Sequence, residues 1–469
     1  VGPEQGVADV CVIGAGPAGS TLAARMALLG YDTLLVERAS FPRRHLGESL
    51  SPGVLALIET FGAREAVERA GFWPVPSVQV TWGGQPEERR DPGRQGLLVD
   101  RGQFDWLLLE HARRVGVRVM QPAAVRARQR CGDEWMLSIE AAGRILDVRA
   151  AFLADASGRS AFLRGRRVQM ARRTLALYGY WRGRSLPRRP RIESGTAEWY
   201  WGVPIPDGSY NTLVFVDEEV VRGARGGATQ LFHTLVERSS LMRGCRQAHL
   251  ASPVLAADAT PYLDEESATP LSIKVGDAAL ALDPLSSSGV QKAIQTALAG
   301  AVVVNTLLRR PESREAAIRF YLDSLRRASE RHCGWAAEHY GTVAARTPAR
   351  FWQERATTAV IRPTAVARVH HAGLLSGVTL ELSRQLAFVD EPCLEKEFVA
   401  VKTAVRHPNL DGPIAYLGPW ELAPLLREVG EGRTPYELAL AWSRRMPPAA
   451  GLAVAQWLLD HGVLVPENQ

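Results

Sequence analysis

Lysine is nearly missing from this 469-residue chain. Of its 56 basic side chains only Lys274, Lys292, Lys396 and Lys402 are lysine, and residues 39–273 hold none. The five cysteines (Cys11, Cys131, Cys245, Cys333, Cys393) lie far apart with no C-x-x-C pair. That argues against a zinc site or a disulfide framework and suits a reducing compartment. No apolar run reaches the ~18 residues that would mark a membrane span. The first residues show no basic-then-apolar leader, so a soluble cytoplasmic protein is expected. Repeats and low-complexity segments are absent too. The net charge of +6 is carried by arginine, with clusters at Arg164-Gly-Arg166-Arg167 and Arg188-Arg189-Pro-Arg191. No nucleic-acid module accompanies them, so they read as solvated surface and no nucleic-acid partner is expected.

What is there begins at Ala8. The composition, 46% hydrophobic and 23% charged, is ordinary for a globular protein, and the length calls for two or three lobes. Val10 to Ile13 has the β-branching and brevity of a buried parallel strand. Gly14, Gly16 and Gly19 follow in G-x-G-x-x-G spacing around Pro17 and Ala18. A helix runs from Ser20 to Leu29, and a second strand, Thr33 to Val36, ends on Glu37. The glycines differ in what they allow. Gly14 permits the tight turn, Gly16 lets backbone approach a pyrophosphate, and Gly19 lets helix pack on strand. The helix start presents N–H groups to phosphate. Glu37 can accept both hydroxyls of an adenosine ribose, which favours FAD or NAD over NADP. The motif alone does not say which dinucleotide. A second G-x-G-x-x-G is lacking, so a pyridine nucleotide would dock only transiently.

Further along, residues 41–52 (F-P-R-R-H-L-G-E-S-L-S-P) form a loop before a helix at 53–61. Strand-like alternation follows at 78–82, and a strong helix starts near Val99 to Asp105. Ala151 to Ala154 is an apolar strand ending on Asp155. From Arg172 to Val216 strands dominate; then Ile273 to Leu308 returns to strand, loop and helix. The expected organisation is therefore 1–170 and 271–345 as one interrupted domain, with a β-rich domain at 171–270 inserted. Residues 346–389 read as a helical linker, including a helix over 356–382. Residues 390–469 read as a small winged-helix-like unit, with strands at 398–405 and 413–417 and helices at 421–429, 436–445 and 451–461.

Three more motifs sit at strand ends: Asp155-Ala-Ser-Gly-Arg-Ser160, Gly276-Asp277-Ala-Ala, and Asp283-Pro-Leu-Ser-Ser-Ser-Gly289. With these in view, residues 8–340 resemble the flavin-dependent monooxygenases of the para-hydroxybenzoate-hydroxylase type, and within them the flavin halogenase and geranylgeranyl-reductase branch. The resemblance implies an α/β fold: an FAD-binding Rossmann-like domain of glutathione-reductase type, an inserted β-rich substrate domain, a helical segment and the C-terminal unit. It also implies FAD as cofactor. Gly14, Gly16, Pro17, Ala18, Gly19, Glu37, Arg38, Arg101 and Asp155 would lie along the ADP part, and Arg43 and Arg44 read either as contacts to the FAD phosphates or as solvated side chains. Asp277 would hold the ribityl–pyrophosphate part, and Pro284, Ser287, Ser288 and Gly289 would lie by the isoalloxazine. From the residues alone, Asp277 also reads as a helix cap and Asp155 as a turn cap.

Trp199-Tyr-Trp201-Gly-Val203-Pro204 resembles the W-x-W-x-I-P signature of flavin halogenases. Period-two alternation puts both indoles on one strand face, where they wall a substrate pocket with Pro204 or simply fill the core. Halogenases rely on a lysine that captures hypohalous acid, and tryptophan halogenases carry a glutamate in the flavin loop. Here the matching stretch reads Trp73-Pro-Val-Pro-Ser-Val78, and the loop has Ser286. The resemblance therefore implies a halogenase-shaped hydroxylase: FAD is reduced, O2 is captured as a flavin C4a-hydroperoxide, and its distal oxygen passes to an electron-rich ring. Such chemistry needs a dry pocket and benefits from a base. Glu48, His45 and Ser286 are the candidate catalytic residues, although Glu48 also reads as a loop-holding hydrogen-bonder and His45 as a surface residue. The reductant is external, NAD(P)H or a partner flavin reductase. No metal is called for.

The C-terminal unit is more than a small phenol demands; modules of that size can grip leader peptides or carrier proteins, and the unit reads otherwise as a lid or dimer contact. The chain is in this respect similar to flavoproteins that hydroxylate protein-borne tryptophan during tryptophylquinone biogenesis. Rival readings are a monooxygenase or halogenase of a small or carrier-bound aromatic, and a flavin reductase of geranylgeranyl type.

Overall fold

The computed structural model describes residues 5–357 and 377–467 except 76, 85, 91–94 and 431. The chain divides into two compact units, Val1–Arg310 with Tyr321–Val360 and Pro311–Phe320 with Ile361–Gln469.

The first unit is built on a parallel sheet. Gln5–Ile13 lies between Arg144–Asp155 and Thr33–Val36; Arg118–Met120 flanks the latter and Ser272–Lys274 the former, all parallel. Val10, Cys11 and Val12 are wholly buried, as a strand covered on both faces must be. The helices Pro17–Leu28 and Gly289–Arg309 pack together. Ser272–Lys274 brings the chain back into this sheet after the long excursion through residues 156–271. The strand stops at Lys274, and Gly276–Ala278 is a tight turn.

A second, mainly antiparallel sheet runs in the order His249–Leu250, Thr174–Arg182, Tyr210–Asp217, Trp199–Pro204, Arg191–Ser194, Val78–Thr81, Glu87–Arg89. Its last two strands come from inside the stretch 1–170. Alternation splits the sheet into two faces. Leu177, Trp181, Tyr200, Tyr210 and Val214 pack with Phe232, Leu235 and Val236 of the helix Gly227–Arg238. Ala176, Trp199, Leu213 and Phe215 pack instead with Tyr340, Phe351 and Trp352.

The second unit holds the hairpin Ala387–Glu395 with Phe398–Arg406 and the helices Leu422–Arg427, Pro435–Ala441 and Pro448–Asp460. Leu422, Leu426, Leu438, Trp442 and Leu458 form its core. Two expectations need correcting here. The helix over 356–382 does not reach its end, because Leu380–Leu382 is a strand paired with Leu464–Pro466 around the fully buried Leu380; residues 358–376 lie outside the described residues. The strand Ala387–Glu395 was not expected: its acidic residues and Pro392 hide the alternation, and pairing with Phe398–Arg406 makes it a strand. Among the described residues no helix is long and apolar enough to cross a membrane.

Candidate cofactor and active site

The turn after the first strand is shaped by contacts only glycine tolerates. Gly14 has φ +99°, and a Cβ on Gly19 would lie 1.8 Å from the Gly14 carbonyl oxygen. A Cβ on Gly16, by contrast, would meet nothing nearer than the Arg43 guanidinium at 3.8 Å. Gly16 therefore faces open space at the start of Pro17–Leu28, a helix whose N-cap carries no side-chain cap. Open space, unsatisfied helix N–H groups and an adjacent guanidinium fit a pyrophosphate. Glu37 is buried, its carboxylate oxygens accepting the Ala15 and Ala39 N–H groups at 2.7 and 2.8 Å. That fixes the carboxylate beside the turn and leaves each oxygen a second lone pair for a ribose hydroxyl. Arg38 is exposed.

Arg101 opens the helix Arg101–Arg114 and is 5% exposed. Its Nε and Nη2 donate to Asp105 Oδ1 and Oδ2 at 3.0 and 3.1 Å, and its Nη1 donates to the Leu46 carbonyl. Arg101 thus ties the loop 41–48 down rather than reaching freely for a phosphate. Of the two loop arginines, Arg43 stands at the nucleotide turn, while Arg44 lies over the Tyr180 ring at 5.6 Å. Asp155 is wholly buried; it accepts the Ser157 N–H and hydroxyl and the Leu163 N–H at 2.9, 2.6 and 2.7 Å. Of the two roles open to it in the sequence, capping the turn is the one these contacts describe.

On the far side of the turn, Asp277 Oδ1 accepts from Lys292 Nζ at 2.6 Å, and its Oδ2 lies 3.8 Å from Arg159 Nε. Burial pushes this carboxyl up, but the Lys292 and Arg159 charges hold it below its ordinary value. In the next loop Asp283 accepts the Leu285 N–H at 3.0 Å, and Ser287 takes the left-handed conformation (φ +50°) that swings the chain into Gly289–Arg309. Ser286 and Ser288 share a hydroxyl–hydroxyl bond of 2.6 Å. Pro284 to Ser288 are half-buried and Gly289 is exposed, its Cβ position open.

Leu46 and Leu285, one from each loop, flank the aromatic cluster on the second sheet, together with Trp82, Tyr178 and Trp201. Trp199 is 1% exposed and stacked on Phe215 at 3.6 Å, so it fills the core. Trp201, two residues on, is half-buried on the same face, and Pro204 is buried at the strand end.

Glu48 joins loop to sheet. Its Oε1 accepts the Tyr180 hydroxyl and Asn211 Nδ2 at 2.8 and 2.9 Å, and its Oε2 accepts the Gly47 N–H at 3.0 Å. Beside it is a small, polar cleft lined by Arg44, His45, Tyr180, Arg182 and Asp207 among others. His45 is exposed there, with Nδ1 3.0 Å from the Leu46 carbonyl. A carbonyl only accepts, so Nδ1 carries the proton and Nε2 is the basic nitrogen of the neutral ring.

Burial raises the Glu48 carboxyl above its ordinary 4.5, against hydrogen bonds that pull it down. The folded state then binds this proton more tightly than the unfolded chain, so stability falls as pH climbs from about 4.5 through the raised value. Glu48→Gln lacks that loss. The stability of the variant minus that of the parent is expected to rise as urea melts move from pH 4 to pH 8; a constant or falling difference would count against it.

Sequence reasoning passed over three of these residues. Lys292 carried a signal, its rarity; Tyr180 and Asn211 carried none, because strand alternation does not say what meets them from across the fold.

This architecture defines a mixed α/β flavoprotein with an FAD-binding domain. A family model for the FAD binding domain matches residues 7–174 and one for tryptophan halogenases matches residues 94–373. The chain belongs to the tryptophan halogenase family. It is similar to the tryptophan 2-halogenase of Chondromyces crocatus, 31% identical over 334 residues, which span 66% of this chain and 64% of that one. The flavin-dependent halogenase armH3 of Armillaria mellea is 29% identical over 69% of this chain and 72% of its own. Among solved structures, the peptidyl tryptophan dihydroxylase QhpG, essential for tryptophylquinone cofactor biogenesis, superposes with a TM-score of 0.76 at 28% identity, over 97% of this chain and 99% of its own. The flavin-dependent halogenase CmlS shares the fold, with a TM-score of 0.77 at 21% identity over 98% of this chain and 96% of its own.

Proposed function

We propose that this protein is an FAD-dependent monooxygenase that hydroxylates an aromatic ring, its substrate a tryptophan side chain carried by a peptide or protein. The observation that carries this reading is the state of the lysines. None precedes Lys274. Lys274 Nζ is buried against Asp264 Oδ2 at 2.7 Å, and Lys292 Nζ is buried against Asp277. Neither presents an amine that could take up hypohalous acid, and the flavin loop has Ser286 where a tryptophan halogenase has glutamate. The 28% identity with QhpG along nearly the whole chain, against 21% with the halogenase CmlS over the same span, supports the peptide-borne substrate.

Bound FAD, reduced by NAD(P)H or by a partner flavin reductase, supplies activation of O2. The chain's own residues do the rest. In this reading Trp201, Tyr178 and Leu285, which pack against the aromatic cluster, border the approach to the ring and keep water from it. Glu48 holds the 41–48 loop to the sheet through hydrogen bonds that occupy its carboxylate. His45 Nε2 is the group left to accept a proton from the ring. The loop serines, Ser286 included, order the start of Gly289–Arg309.

The test supplies reduced flavin, O2, chloride and bromide, with a tryptophan-containing peptide and free tryptophan in competition, and reads products by mass spectrometry. Oxygen added to the peptide is the expected result. Halogen on either substrate, or oxygen on free tryptophan alone, would overturn the proposal.

A further inference from the structure

We propose that Lys292 is a positioning residue for FAD, holding the Asp277 carboxylate so that one oxygen is spent on the ammonium and the other is turned to accept a hydroxyl of the ribityl chain. The inference rests on the reading that FAD occupies this cradle.

The position of Lys292 is costly by every local rule. It lies in the first turn of the 21-residue helix Gly289–Arg309, where the helix dipole disfavours a cation, and that turn has no acidic residue. It is 4% exposed, and burying an ammonium is expensive unless it is paired. A buried ion pair is no reliable source of net stability, so the pair calls for another account. Lysine is also the rare cation in this chain. An ammonium is a compact point charge, whereas a guanidinium would need a planar fork of acceptors.

What Lys292 achieves is orientation. Its Nζ bonds Asp277 Oδ1 at 2.6 Å and donates to the Leu280 carbonyl, so the carboxylate is tethered to main chain through one amine. The Tyr262 hydroxyl donates to the Asp277 carbonyl at 2.5 Å and fixes the backbone. The Asp277 side chain nevertheless stays 38% exposed, and Oδ2, 3.8 Å from Arg159 Nε, lies beyond hydrogen-bond reach of it. One oxygen is anchored and the other is open. The turn sits beside the nucleotide turn: a Cβ on Gly276 would be 2.8 Å from Ala18 Cβ, in the first turn of Pro17–Leu28. An anchored, ionised carboxylate oxygen next to a pyrophosphate cradle suits the polyol segment that joins pyrophosphate to flavin.

The charges facing Asp277 are Lys292 from the helix, Arg159 from the turn Gly158–Ser160 with Asp258 3.8 Å from that arginine, and His45 from the loop; Tyr262 faces it from its own strand. Among the described residues only Lys292 comes within hydrogen-bond distance of the carboxylate. Without it the largest charge holding the Asp277 carboxyl down is gone, and the anion is lost at milder acidity than in the parent.

The experiment measures FAD affinity by fluorescence titration from pH 8 to pH 5 for the parent, Lys292→Met, Asp277→Asn and the double variant, beside the apoprotein melting curve of each. The parent is expected to hold a nearly constant Kd. K292M is expected to bind about 10-fold more weakly at pH 8 and to lose further affinity as the pH falls to 5, where the parent does not. D277N is expected to be weak at every pH, and the double variant no weaker than D277N. K292M keeps both His45 and Asp277, so its pH profile is compared with that of the parent, in which the same His45–Asp277 coupling acts. A K292M profile parallel to the parent's overturns the proposal; so does D277N binding FAD as the parent does, a result that stands even where K292M fails to fold. A parent that binds no FAD at any pH overturns the cofactor reading itself, which is a different outcome.

Discussion

Gly16→Ala is expected to fold like its parent and bind FAD about 100-fold more weakly, whereas Gly19→Val is expected to lose cofactor and stability together. The two positions differ in what a side chain would meet. At Gly19 a Cβ would stand 1.8 Å from the Gly14 carbonyl oxygen and 3.1 Å from Ala156 Cβ. The obstruction is main chain, so the helix Pro17–Leu28 must leave the sheet by more than an ångström. Ala18, Leu22, Ala23 and Met26 on that helix are almost wholly buried, and overpacking of such a contact costs about 1–3 kcal/mol even where relaxation is easy. At Gly16 the protein itself offers no obstruction, and the nearest atom belongs to a mobile guanidinium. The methyl group would instead occupy the space that a pyrophosphate needs, and the loss would appear only on titration with FAD. Apoprotein melting midpoints and visible flavin absorbance separate the two. Equal affinity for FAD in G16A and the parent would show that the cofactor does not approach this turn.

Arg101→Met is expected to destabilise the protein by about 3–5 kcal/mol, more than most single substitutions do. Asp105 is wholly buried, and both of its oxygens bond the Arg101 guanidinium; Arg43 Nη2, at 3.8 Å, is too far to replace it. The methionine leaves that carboxylate uncompensated. It also removes the bond from Arg101 to the Leu46 carbonyl, so the loop carrying Arg43, His45 and Glu48 loses its tie to the helix Arg101–Arg114 while keeping the Glu48 bonds to the sheet. The R101M/D105L double variant removes both charges and is expected to recover much of the lost stability, while FAD affinity stays low because the loop remains untied. Urea melts of the three proteins check the first part and FAD titration the second. A double variant as unstable as R101M would show that the damage is lost packing and not a stranded charge.

The first strand, the glycine turn, the following helix and Glu37 were legible because their signals are local: run length, a three-glycine spacing, an acid at a strand end. The return of the chain to the first sheet near Lys274 was legible for the same reason. The strand Ala387–Glu395 was not, since its character comes from its partner, and the helix expected through Leu382 failed because Leu380 is claimed by Leu464–Pro466. Around the site, Asp155 and Glu48 each had two readings in the sequence. Their hydrogen bonds to Leu163, and to Tyr180 and Asn211, spend both carboxylates on holding loops.

The sequence by itself determined the nucleotide cradle, the class of fold and the near absence of amines, for these depend on residue identity and on spacings short enough that chain stiffness alone sets the geometry. Only the tertiary structure decided that Trp199 is core while Trp201 stays half-buried, that Arg101 is committed to Asp105, and that Lys292 pairs with Asp277. Each of these turns on which groups from distant segments share one buried volume, where an unpaired charge or polar atom costs more than any local preference can repay.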